Sequence, residues 1–343
     1  MTATLTGDVL EDQQARPRTG RRWLRPLGSY TLTVFVLLNL NFFLPRTLPG
    51  NPIEILAAQA SPGQGGEEAR AALEAYYGLD LPLLQQYVNY LTGLLRGDLG
   101  QSVTENRPVR DLIFERLPWT LLLIGTAIGL ASLVGVVAGI HSGWRRGKNM
   151  DRGLLTLFLS LRTIPEFFLG SMVLFVFAVK LDWFPLAGSR TPFLSDAGLF
   201  EQIVDILHHL ALPALVLAIG LTAGQYLFMR AGMVSELGAG YLLLGRAKGL
   251  TERRLKYRYA ARNAMLPVVT VIALELGMAV TGSIFIERVF AYPGLGQLLN
   301  GAANLRDYPL LQGSFLVFAL FVVTANFLAD LLYARLDPRT APA

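Results

Sequence analysis

The chain has 343 residues, 52% of them hydrophobic and 16% charged, with a net charge of +5. Soluble domains carry about 25% charged residues, and here the charges cluster between long apolar stretches. A disordered chain, a nucleic-acid-binding protein and an ordinary soluble enzyme are therefore excluded. The absence of cysteine removes disulfide scaffolds, iron–sulfur clusters and thiolate zinc sites.

Residues 1–26 form a polar, Arg-containing tail. The first apolar run, Leu27–Leu44, is longer than the core of a signal peptide. Pro45-Arg46-Thr47-Leu48-Pro49 follows where a small-residue cleavage site would be needed. It reads as an uncleaved anchor, with the first transmembrane helix at 27–46. Five further runs suit a hydrocarbon core roughly 30 Å thick: Pro118–His141, Leu154–Val179, His209–Met229, Leu266–Ile286 and Gln312–Tyr333. The expected fold is an all-α integral membrane protein with six transmembrane helices. An external segment occupies 47–117, a five-helix membrane core 118–339 and a short tail 340–343.

Segments 1–26, 142–153, 230–265 and 334–343 hold 19 of the 30 Lys and Arg residues, whereas 180–208 and 287–311 hold two each. By the positive-inside rule both termini and the 230–265 loop face the cytoplasm. The segment 47–117, with nine acidic residues against five Arg, is then external. Within it, the apolar spacing of 67–117, broken at Gly78, Pro82, Gly97 and Gly100, predicts two or three short amphipathic helices packed on the outer face, preceded by a loop at 61–66.

The 230–265 loop is the most informative element. Tyr241 to Lys248 suits a short helix ended by Gly249 at the position just past its C-cap. Thr251 suits the cap of a second helix carrying Glu252, Arg253, Arg254, Lys256 and Arg258. Such a hairpin can be a cytoplasmic docking knob, or it can lie on anionic lipid. Pattern alone leaves both readings open.

At these residues the sequence resembles a known family. The string YLLLGRAKGLTERRLKYRYAARNAMLPVVTV is similar to the ATPase-docking loop of binding-protein-dependent ABC transporter permeases. More narrowly, it resembles the first-permease branch of the dipeptide/oligopeptide/nickel family. Tyr241, Arg246, Ala247, Lys248, Gly249, Leu250, Arg262, Asn263, Ala264 and Pro267 match that pattern, while Leu243, Leu244 and Gly245 replace its usual Arg-Thr-Ala. The resemblance covers residues 27–339 and includes LPGNP (48–52), RLPWTLLL (116–123), FIERVFAYPGLGQLLNGAANLRDYPLL (285–311) and NFLADLLYARLDPR (326–339).

It implies the permease subunit of an ATP-driven importer. The implied partners are a second homologous permease in a heterodimer, two ATP-binding subunits, an external solute-binding protein and the lipid bilayer. ATPase docking would fall to Tyr241, Arg246, Ala247, Lys248, Gly249, Leu250 and Thr251. Family frequency favours peptides as cargo, with nickel or another small solute as alternatives. An ion-coupled secondary transporter is the rival from a different class, and such a protein has no need of an Arg-Ala-Lys-Gly-Leu knob.

The residues agree by what they lack. No G-x-x-x-x-G-K-[ST] loop is present to cradle phosphates, and no nucleophile–His–carboxylate set can be assembled. ATP hydrolysis would have to come from partner subunits. No cofactor and no metal is implied; the His208-His209 pair at a membrane boundary reads as interfacial.

Ionisable residues inside spans are costly, hence functional suspects. Arg162 and Glu166 in the third span and Glu275 in the fifth are the clearest, as candidates for the path or a gate. Arg162 and Glu166 are four apart, so on a continuous helix they share a face. Arg162 and Glu275 each lie eight residues past the expected cytoplasmic start of their spans, at a depth of roughly 12 Å. Either pairing of Arg162 is open. Asn39 and Asn41 read as helix–helix hydrogen-bond partners.

Overall fold

The computed structural model describes residues 24–47, 71, 74–75, 80–192, 194 and 198–336. Its helices are α1 (Leu24–Thr47), α2 (Leu83–Leu95), α3 (Val109–Trp144), α4 (Asn149–Arg162), α5 (Glu166–Lys180), α6 (Leu199–Glu236), α7 (Gly240–Ala247), α8 (Glu252–Val289), α9 (Leu295–Leu305) and α10 (Tyr308–Leu336). Extended pairing among the described residues is one isolated bridge, Gln101 to Pro108. Helices α3, α6, α8 and the stretch Tyr308–Leu328 of α10 are long and apolar enough to cross a membrane. The pair α4–α5 makes a possible fifth crossing, and Leu27–Phe43 is a shorter apolar helix.

Several boundaries differ from the sequence expectation. Helix α3 begins at Val109, nine residues before Pro118, and carries Pro118 inside it. Helix α6 begins at Leu199, ten residues before His209, and runs on to Glu236. Hydropathy stops at the apolar layer, but backbone hydrogen bonding continues through the charged turns at Arg110, Asp111 and Glu115. Over 67–117, α2 is one amphipathic helix of the expected kind; residues 71, 74 and 75 are helical, and the rest of the element expected around 71–77, like the loop at 61–66, lies outside the described residues.

The larger correction concerns the third span. Leu154–Val179 is not one straight helix: α4 ends at Arg162, α5 starts at Glu166, and the two are bent by 96°. Pro165 explains the break. It has no N–H to donate, and it disfavours helical geometry at Ile164.

Close approach holds α3 to α6. A Cβ on Gly135 would lie 2.9 Å from the Thr222 carbonyl oxygen, on Gly139 2.7 Å from Met229 Cβ, and on Gly143 2.5 Å from Met233 Cβ. Three glycines four residues apart thus let the two backbones meet, the usual role of small residues between membrane helices. Toward their C-terminal ends, buried Asp151 on α4 clamps the same pair. It accepts from Arg230 Nε at 2.6 Å and Nη2 at 2.9 Å, from Ser142 Oγ at 2.5 Å and from the Gly147 N–H at 2.8 Å.

Two further buried carboxylates fix the opposite end, near the start of α3. Glu287 on α8 accepts from Thr120 Oγ1 at 2.7 Å and from the Gly296 and Gln297 N–H groups at 2.7 and 3.1 Å. It therefore caps α9, whose first N–H groups have no intrahelical partner. Asp307 accepts from Ser102 Oγ at 2.6 Å, from Thr104 N–H and Oγ1 at 2.9 Å each, and from the Leu310 N–H at 3.1 Å. Ser102 is consequently fully buried. Helix α2 packs on α1: Tyr87 donates to Asn39 Oδ1 at 3.0 Å, and Asn41 Nδ2 donates to Tyr90 Oη at 3.0 Å and to the Gln312 carbonyl at 3.1 Å. The two asparagines are helix–helix partners, as the sequence suggested.

Candidate functional site

The corner between α6 and α8 is built as its residues dictate. Gly249 has φ +74°, a left-handed conformation that glycine adopts without a Cβ penalty. The Leu250 N–H donates to the Gly245 carbonyl at 3.0 Å and the Gly249 N–H to Arg246 at 2.9 Å. These two bonds are those of a Schellman C-cap on α7. Two residues on, the Thr251 hydroxyl accepts from the Arg254 N–H at 3.4 Å and opens α8. Fully buried Leu242 and Leu255 pin the corner from inside, with Leu255 occupying the space a side chain on Gly245 would take.

Outward-facing residues follow from that anchoring. Arg246, Ala247, Lys248, Gly249 and Thr251 are exposed, whereas Tyr241 and Leu250 are half-buried. Arg246 Nε donates to Glu252 Oε1 at 2.9 Å across the corner, and this pairing raises the Arg246 guanidinium above its ordinary value. The Tyr241 hydroxyl donates to the Glu236 carboxylate. Burial, then that carboxylate, pushes the phenol up to about 12, so it stays protonated. Sequence reasoning registered Leu243 and Leu244 only as departures from a motif. They are 70% and 56% exposed, an apolar ridge on a charged knob.

The intramembrane charges sit elsewhere. The bend separates Arg162, at the end of α4, from Glu166, at the start of α5, so they do not share a continuous helix face. Arg162 is exposed, and it makes no ion pair with Glu275, whose hydrogen-bond partner is Gln225. Glu275 is 7% exposed and accepts from Gln225 Nε2 at 2.6 Å. Glu166 reaches the same side of α6: its Oε1 lies 2.6 Å from where a Cβ on Gly220 would be, and Glu275 Oε1 the same distance from that position on Gly224. Sequence reasoning missed Gln225 and the two glycines. Their signal was available, because Gly220, Gly224 and Gln225 interrupt an otherwise aliphatic span.

The histidines have separate local partners. His141 Nε2 lies 3.1 Å from Tyr257 Oη, His208 Nε2 2.8 Å from the Trp183 carbonyl and His209 Nδ1 2.9 Å from the Asp205 carbonyl. No group of three His, Asp or Glu among the described residues is placed to hold a metal ion.

Residues 131–342 match the family described as the inner membrane component of binding-protein-dependent transport systems. The chain belongs to that family. It is thus a multi-pass inner-membrane protein and a transport component. It is 41% identical over 315 residues to a Brucella suis biovar 1 protein named, provisionally, a peptide permease, covering 91% of this chain and 94% of that one. It is 36% identical over 306 residues to the glutathione transport system permease protein GsiC of Escherichia coli (strain K12), covering 89% and 94%. It is also 36% identical over 302 residues to the oligopeptide transport system permease protein AppB of Bacillus subtilis (strain 168), covering 88% and 92%.

Proposed function

We propose that this chain is one of two homologous permease subunits of an ATP-driven importer, passing peptides inward from an external solute-binding protein. Two ATP-binding subunits supply hydrolysis, since the chain lacks a phosphate-cradling loop. The observation that carries this reading is the rigid, outward-facing corner from Tyr241 to Thr251, closed by Gly249. A corner of that kind transmits a push only if something grips it, and an ion-coupled carrier has no such partner. Relatives named for peptides, glutathione and oligopeptides favour peptide cargo.

In this reading six spans cross the membrane with both ends inside, α1 forming the first and the bent α4–α5 pair the third. Arg162, Glu166 and Glu275 lie on the path, and Arg162 meeting Glu275 forms its cytoplasmic-side gate. Purification of the tagged chain from native membranes tests the assembly: two ATP-hydrolysing subunits and a second permease should copurify, with hydrolysis stimulated by loaded binding protein. Recovery of this chain alone, with uptake sensitive to an ionophore and not to ATP depletion, would favour the secondary transporter. Topology is tested by Leu95→Cys, reactive from outside intact cells because position 95 is 89% exposed, and by Thr251→Cys, reactive only after permeabilisation.

A further inference from the structure

We infer that the cluster of acceptors where α5, α6 and α8 meet, called the groove below, is a binding site for a cationic group, an ammonium or guanidinium, on the transported solute. This deepens the importer reading and rests on it. Glu275 and Glu166 lie against Gly224 and Gly220, one turn apart on the same strip of α6. Neighbouring Cβ positions at that spacing are about 5–6 Å apart. Each carboxylate oxygen lies 2.6 Å from one of those positions, so the two approach adjacent turns of the same strip. The glycines make the arrangement possible, because a side chain at either position would collide with a carboxylate oxygen at 2.6 Å. Gly282 on α8 completes the cradle, its Cβ position lying 2.8 Å from Glu166 Oε2.

The groove is rich in acceptors and short of donors. Asp151, Glu287 and Asp307 each collect at least three hydrogen bonds. Glu275 has the single bond from Gln225, and Glu166 has no hydrogen-bond or ion-pair partner among the described residues. Gln225 itself is fully buried, and its Oε1 has no partner. Turning the amide over would set an oxygen against the Glu275 carboxylate, so the free end beside Glu275 remains an acceptor. Two carboxylates and an amide oxygen, all underused, are complementary to a group with several N–H donors and a positive charge. Arg162, exposed at the end of α4, would in the gate reading above be the protein's own competitor for that place.

Because this chain contains no cysteine, a single reporter thiol tests the groove without knowledge of the cargo. In membrane vesicles holding the whole transporter, Glu275→Cys is treated with a trimethylammonium and with a sulfonate methanethiosulfonate. The cationic reagent should react about tenfold faster, relative to the same ratio at Leu95→Cys, because Glu166 focuses positive charge there. Adding Glu166→Gln should bring the ratio back to the Leu95 value. If Glu275→Cys fails to assemble, Gln225→Cys reports on the same groove with both carboxylates kept. A ratio equal to the Leu95 control, a ratio unmoved by Glu166→Gln, or a thiol reached by neither reagent overturns the site.

Uptake of Ala-Lys-Ala against Ala-norleucine-Ala then separates the two readings. Glu275→Gln should raise KM for the lysine peptide about tenfold more than for its neutral counterpart, the loss expected for one hydrogen bond to a charged group. Charge-selective labelling without ATP-driven uptake of any peptide would overturn the peptide importer and leave the cation site. Peptide uptake with no charge preference in labelling would overturn the cation site alone.

Discussion

Helix α8 carries two buried glutamates twelve residues apart, and they are treated in opposite ways. Glu287, near the helix C-terminus, is enclosed by Thr120 and by the first N–H groups of α9. Glu275, about 18 Å back along the helix at 1.5 Å per residue, faces bare glycine backbone and one glutamine. The same side chain on the same helix is a lock in one place and an open valence in the other. The count of donors around a buried charge separates the two roles. A structural carboxylate is satisfied within the fold, and one reserved for a moving partner is left short.

The sharpest way to break this comparison is Glu287→Ala. Three buried donors would lose their acceptor at about 1–3 kcal/mol each, so the variant should be lost from the membrane or melt far below the parent in detergent. Gly294→Ala should act the same way, since its Cβ would fall 2.2 Å from the Glu287 carboxyl carbon. Normal levels and melting for both would demote the Glu287 lock.

Next in size is Gly249→Asp, which touches neither glutamate. A side chain in the left-handed conformation costs about 1–2 kcal/mol, too little to unfold the protein, but bulk and charge would sit at the corner proposed above to receive the ATP-hydrolysing subunit. Insertion should persist while substrate-stimulated hydrolysis and uptake collapse. Full coupling in that variant would show the corner to be misassigned.

Charge exchange sharpens the Glu275 half of the comparison. Arg162→Ala and Glu275→Ala should each cut uptake, and Arg162→Glu combined with Glu275→Arg should recover part of it. Recovery from exchanging Arg162 with Glu166 instead would move the gate to the bend. The smallest effect is expected from Glu275→Gln on melting, within about 1 kcal/mol of the parent, because a carboxylate with one partner stabilises little. A fall as large as that of Glu287→Ala would erase the distinction between the two sites.

What could be read beforehand divides along contact range. The cap at Gly249, the start at Thr251 and the apolar spans are local, written in residues within a few positions of one another. The Asn39 and Asn41 contacts were legible because polar amides in an apolar helix must find partners. The Glu287 lock was not, since Thr120 lies 167 residues away in sequence and no spacing rule connects them. Ser102 reads as an exposed loop residue, yet Asp307, 205 positions on, buries it. The bend before α5 was signalled by Pro165, but the surrounding hydropathy is continuous and masks it. The Glu166–Glu275 groove needed both the bend and the glycine strip of α6, neither of which a periodicity count weighs.

The three close glycine contacts between α3 and α6 have a mechanical consequence. A helix seated that tightly on its neighbour, and clamped toward its C-terminal end by Asp151 and Arg230, cannot flex by itself. Displacement applied at the α6–α7 corner must travel along α6 as a rigid rod. Gly224 lies twelve residues from Glu236, about 18 Å along that rod. Tilting it by even a few degrees would slide the glycine strip relative to α5 and α8, changing the spacing between the two carboxylates. The stiffness of one helix pair thus sets how much of a displacement made at that corner would arrive at the glycine strip.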